Sequence, residues 1–111
     1  MSTTTKWESK RTEESCMVEQ MLRDAGFERV DAYRYNSASL RVRIVDPRFE
    51  SLSREERDAI AEPALEKLPL QTQSDIVSLV LVSPSELNSP GRTFREFMLN
   101  TEFDDPSPSM L

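Results

Sequence analysis

Apolar and polar positions along this chain change their period several times, and each change marks a different element. From Thr12 onward the apolar residues recur at helical spacing, with Met17, Val18, Met21, Leu22 and Ala25 on one face. Thr12 is placed to cap that helix, and Glu13 and Glu14 lie in its first turn, where carboxylates meet the positive end of the dipole. Gly26 supplies the left-handed residue that closes it, and Phe27 can fold back on the last turn. The period then drops to two. Val30 to Tyr35 and Leu40 to Val45 read as strands, and Asn36-Ser37-Ala38-Ser39 between them as a turn, so the pair predicts a hairpin. If Tyr35 opposes Leu40, then Tyr33, Tyr35, Leu40, Val42 and Ile44 share the core face, and Arg34, Arg41 and Arg43 share the outer one. A slip of one residue exchanges the two sets.

Pro47 cannot donate to a sheet and ends the second strand. Ser53 with Glu56 three residues on is a capping box, and Ala59, Ile60, Ala64 and Leu68 carry the apolar face of the helix it starts. Pro63 lacks an N–H, which predicts a kink or split there, with a second short helix opening at Pro63 and ending at Pro69. Asp75 to Val82 is the most apolar segment and reads as a strand buried on both faces, followed by a turn at Ser83-Pro84-Ser85-Glu86. The order helix, strand, strand, helix, helix, strand predicts an α+β fold, a three-stranded mixed sheet with the helices packed on one face.

On this reading residues 12–88 form the domain, residues 1–11 a flexible N-terminal segment, and residues 89–111 an aromatic, acidic tail that is partly disordered. Phe94, Phe97, Met98, Leu99 and Phe103 make the tail too apolar for a plain linker. The last strand meanwhile has a second apolar face that helices on one side leave uncovered. Phe94, Phe97 and Phe103 are therefore candidate contacts: within the chain, across a homodimer, or on a partner that orders them.

The segment Asp46-Pro47-Arg48-Phe49-Glu50-Ser51-Leu52-Ser53 resembles the BolA-like family, in which a loop with Arg-Phe precedes a Ser-capped helix. Glu56-Arg57, Ile60 and Ala64-Leu65 look like the helix that follows, and Ser83-Pro84-Ser85-Glu86-Leu87 looks like the end of the final strand. The resemblance spans roughly residues 13–88 and implies a BolA-like, KH-like αββααβ fold. It also implies docking to a monothiol glutaredoxin, with a shared [2Fe-2S] cluster held by a histidine. Two departures matter. Ser51 stands where the family commonly has glycine, and Asp58 follows Arg57 where the family has its histidine. The chain has no histidine at all, so the cluster-ligand role does not transfer, and Cys16 lies on the first helix.

At 111 residues with 37% hydrophobic content, the chain supports one modest core. Its net charge of −6, from 20 acidic and 14 basic side chains, argues against general affinity for polyanions. The charge is uneven, however: seven arginines and five acids lie from Arg29 to Arg57. No apolar run approaches the ~20 residues of a membrane span, and the first residues lack an apolar signal core, so no membrane partner is expected. With Cys16 as the only cysteine, a reducing, cytoplasmic setting is the expectation.

No catalytic constellation, phosphate loop or metal-ligand spacing is present, so no enzymatic activity, metal or cofactor is expected. Arg34, Arg41 and Arg43 on one sheet face would suit RNA, DNA or an acidic partner. They equally suit a solvated face paired with Asp31 and Glu50, the commoner case. In the loop and helix after Asp46, the residues left for a partner are Arg48, Arg54, Arg57 and Asp58. The leading expectation is a small non-enzymatic binding module working through protein–protein contacts, without a histidine-ligated Fe-S cluster. The alternative is a nucleic-acid-binding regulator using the arginine face.

Overall fold

The structure is a computed structural model and describes residues 11–87 and Phe103. Its elements are α1 (Glu13–Asp24), β1 (Arg29–Asn36), β2 (Ser39–Val45), α2 (Arg54–Leu65), α3 (Leu70–Asp75) and β3 (Ile76–Val82). Single 3-10 turns at Pro47–Phe49 and Pro84–Glu86 follow β2 and β3. The sheet order is β1-β2-β3, antiparallel between β1 and β2 and parallel between β2 and β3. This is the α+β architecture with a three-stranded mixed sheet that the residue pattern predicts.

The helix ends are built from the residues that signalled them. Thr12 and Ser53 each close a capping box, in which the cap side chain and the third helical residue exchange hydrogen bonds with each other's backbone N–H. Gly26 adopts φ 108° beyond α1, and the Phe27 N–H returns to the Leu22 carbonyl. The main core lies between sheet and helices. Val18, Leu22 and Phe27 join Val30 and Ala32 of β1, Leu40, Val42 and Ile44 of β2, Leu81 of β3, Ala61 of α2, and Phe49 and Leu68 from the connecting segments. β3 is apolar on both sides, as expected: Leu79 and Leu81 face the helices, while Val80 and Val82 join Val45 on the opposite face, against Leu87.

The hairpin register differs from the expected one by one residue. Arg34, not Tyr35, opposes Leu40, and the pairing runs on through Tyr33–Arg41, Ala32–Val42 and Asp31–Arg43. Tyr35 is skipped at a register shift between Arg34 and Asn36. The β1 side chains are thereby exchanged between faces: Val30 and Ala32 enter the core, while Asp31 and Tyr33 join Arg41 and Arg43 on the far side.

Two helix boundaries are also corrected. α2 runs through Pro63 without splitting, because the proline falls in the last turn and removes only the N–H that would reach Ala59, an exposed residue. The following short helix instead opens after Pro69 and ends at Asp75, so β3 starts at Ile76. Gln73 fixes this junction by donating through Nε2 to the Glu66 and Leu68 carbonyls, at 3.1 and 2.7 Å.

Both margins of the sheet are met by charged side chains from helices. On β1 the Ala32 N–H donates to Glu19 Oε2 at 2.9 Å, and Glu19, fully buried, also accepts from Arg11. On β3 the Leu79 carbonyl accepts from Arg54 at 3.1 Å and the Leu81 carbonyl from Arg57 at 2.8 Å. Among the described residues no buried side-chain nitrogen or oxygen lacks a partner.

Candidate functional site

The three arginines expected on one face are divided by the sheet. Arg34 lies on the helix side, where Nη2 contacts Glu14 Oε1 at 2.5 Å and Asp75 Oδ2 at 2.8 Å, and Nη1 donates to the Asn36 carbonyl. Glu14 also accepts from Thr72, and Asp75 from Gln71, so the network binds α1, β1 and α3 together. Burial lowers the pKa of Arg34, but the hydrogen bonds to Asp75 and Glu14 outweigh it and raise the value above the ordinary one. The hydrogen bond from Arg34, helped by Gln71, holds Asp75 below the usual carboxylate range.

Arg41 and Arg43 stand on the opposite face. Arg43 is buried and donates to Asp31 Oδ2 through Nε and Nη2, at 3.1 and 2.7 Å. Its guanidinium lies 4.6 Å from the centre of the Phe103 ring, which meets Tyr33 edge-on at 5.2 Å. Arg41 covers Tyr35 at 3.9 Å and donates to the Tyr33 hydroxyl at 2.9 Å. Phe103 thus sits within its own chain on the second face of the sheet, almost wholly buried. Phe94 and Phe97 lie outside the described residues.

In the loop after β2, Asp46 caps the first 3-10 turn and is the local organiser. It accepts from the N–H groups of Arg48 and Glu28 and from the Arg48 guanidinium, at 2.9 to 3.2 Å. Arg48 is half exposed and lies 4.6 Å from the centre of the Phe27 ring, which stacks on Phe49. Burial pushes the Asp46 carboxyl up, but the Arg48 side chain and the two N–H groups outweigh it and hold the pKa below the ordinary value. A depressed folded-state pKa stabilises the fold above the unfolded value of ~3.9, and that contribution disappears as pH falls through the lower, folded value. The gap in melting temperature between the native chain and Asp46→Asn is therefore expected to be widest near neutrality and to narrow below about pH 4. Thermal melts across an acid series read this directly.

Ser51 is the one described non-glycine residue with positive φ, at 64°. A side chain there costs on the order of 1–2 kcal/mol, partly offset by the entropy that glycine loses on folding. Ser51→Gly is expected to stabilise the fold by about 0.5–1 kcal/mol, read by denaturant titration.

The remaining candidates differ in kind. Arg57 is buried rather than on the surface: Nη1 and Nη2 hold Glu86 at 2.7 and 3.0 Å, Nη1 also reaches the Leu81 carbonyl, and Nε donates to the Leu52 carbonyl. Arg54 and Asp58, both exposed enough to meet a partner, form an ion pair at 2.9 Å. Glu50 accepts from Ser85 rather than from an arginine.

What the sequence did not single out is a cleft of about 380 Å³ between α2, α3 and β3. Glu62, Leu65, Glu66, Gln73, Ile76 and Leu79 line it. The two large apolar side chains most exposed to solvent among the described residues lie close by in the chain: Val77 adjoins Ile76, and Leu70 precedes Gln73 by one helical turn. Val77 is the residue left over where the β2–β3 register shifts between Leu40 and Arg41. Among the described residues no group of acidic or cysteine side chains is arranged to hold a metal ion, and no helix is long and apolar enough to cross a membrane.

Family models, curated proteins and solved structures were all compared with the chain. None matches it.

Proposed function

We propose that this chain is a small BolA-like binding module that acts through protein–protein contacts, without enzymatic chemistry and without a histidine-ligated Fe-S cluster. The observation that carries this reading is the disposition of its side chains. Arg34, Arg43 and Arg57 are turned inward onto Glu14, Asp75, Asp31 and Glu86, whereas Leu70 and Val77 are exposed, each close in sequence to a residue that lines a partly apolar cleft. Exposed apolar side chains and a preformed, partly apolar concavity are what a protein partner buries.

The nucleic-acid alternative loses the face it required. Arg34 and the pair Arg41/Arg43 stand on opposite sides of the sheet, and Arg34 and Arg43 are each held by carboxylates. Labelled single-stranded RNA and DNA are expected to show no change in anisotropy with this protein at physiological salt. Binding that weakens steeply with added salt and disappears in Arg41→Glu would overturn the module reading. Mixing with a cluster-loaded monothiol glutaredoxin tests the family role. Co-elution with an unaltered visible spectrum is the expected form of any complex, and an altered spectrum would show that other side chains replace the histidine.

A further inference from the structure

We infer that the cleft between α2, α3 and β3 receives a short apolar segment bearing lysine or arginine from a protein partner. This rests on the module reading and names the partner class for it. The apolar part of the argument is the lining: Leu65, Ile76 and Leu79 form the walls, at a volume within the ~300–1,000 Å³ of ordinary binding pockets. The cleft is held open in advance, since Gln73 ties the end of α2 to the start of α3.

The charge of the occupant follows from the rim. Glu62 lies in the last turn of α2 and Glu66 caps its end, where the helix dipole is negative, and that turn contains no basic residue. The two carboxylates are four residues apart, a spacing at which like charges repel along a helix. Neither takes part in an ion pair among the described residues, although Glu14, Asp31, Asp46 and Glu86 all meet arginines. Two carboxylates at the unfavourable end of a helix, beside apolar walls, form a site complementary to a cation carried on an apolar segment. Strand addition is not the mode, because the outward carbonyl of Leu79 is already occupied by Arg54. Side chains entering the cleft make the contact.

The test is to pan a random-peptide library on the immobilised full-length chain, then measure the enriched peptides in solution by fluorescence anisotropy. The expected peptides combine a large aliphatic residue with lysine or arginine. The double variant Glu62→Lys/Glu66→Lys should weaken their binding roughly tenfold or more, and added salt should weaken it in the native chain. This variant exchanges one like-charge pair for another but sets cations in place of anions at the negative end of the helix dipole, so its melting temperature should not fall and lost binding cannot be ascribed to unfolding. Enriched peptides that lack basic residues, bind the double variant equally well and are lost in Val77→Lys would overturn the cationic occupant while the module reading stands. No enrichment over an unrelated control protein would overturn the site itself. Failure of the module reading is seen separately, in the nucleic-acid titration.

Discussion

Replacing Arg57 with leucine is expected to lower the unfolding free energy by about 3–5 kcal/mol, the cost of removing one partner from a buried ion pair. Four contacts disappear together: two to Glu86, one to the Leu81 carbonyl and one to the Leu52 carbonyl. Glu86, partly exposed, can turn to water, but the Leu81 carbonyl is left at the sheet margin without its donor. A lost partner at a buried carbonyl costs ~1–3 kcal/mol. The Ser83–Glu86 capping box weakens as well, because Glu86 Oε1 accepts from both Arg57 and the Ser83 N–H. Arg57→Lys should restore only part of the loss, since a single ammonium cannot reproduce a fork that serves three directions. Denaturant unfolding of the three proteins measures the series. Leucine and native chains of equal stability would show that Arg57 does not organise this end of the sheet.

Phe103→Ala is expected to cost about 3–5 kcal/mol, the range for deleting a fully buried aromatic ring. Beyond buried area, it removes an edge-on contact with Tyr33, worth about 0.5–1.5 kcal/mol, and the ring face beneath the Arg43 guanidinium. The consequence is local before it is global. Arg43 and Asp31 lose the lid that keeps water from their ion pair, so hydrogen exchange should rise first along the Asp31–Tyr33 and Arg41–Arg43 stretch. Exchange that rises uniformly over the whole sheet instead would argue that Phe103 supports global stability alone.

The helices were legible because their signals are local. Thr12, Ser53 with Glu56, and Gly26 each act within a few residues, and each does in the structure what its chemistry suggests. The hairpin register was not legible. Alternation along β1 offers two nearly equivalent faces, and Tyr33 with Tyr35 is the more apolar one. The hydrophobic rule therefore favours the tyrosines for the core. That rule assumes one wet face, whereas here Phe103 comes from about 70 residues downstream, a long-range contact invisible to local pattern, and buries Tyr33 on the other side. α3 went unseen for a related reason: Gln71-Thr72-Gln73-Ser74 has no apolar period, and its tethers reach Glu14, Glu66 and Leu68. Glu19 did leave a trace, since Ser15, Val18, Glu19 and Leu22 share the buried stripe of α1. A carboxylate in such a stripe signals a buried partner.

The candidate residues divided along the same line. Arg48, Arg54 and Asp58 keep solvent contact, as local composition suggests, whereas Arg57 three residues beyond Arg54 is drawn inside by the Leu81 carbonyl of a strand that follows 20 or so residues later, and by Glu86 beyond it. The cleft was beyond reach of sequence because it exists only between three elements, and its acids look like an ordinary solvated helix face until Leu65, Ile76 and Leu79 are placed beside them.

The arginines of α2 that sit on β3 also determine how this protein fails. Unpaired strand margins are the usual templates for intermolecular growth, and here Arg54 and Arg57 occupy the carbonyls such growth would need. Self-assembly into fibrils or amorphous precipitate therefore waits on the departure of one helix rather than on loss of the whole fold. The lag before aggregation should track the opening rate of α2, and a chain whose α2 is loosened will clump while most of its backbone is still in place.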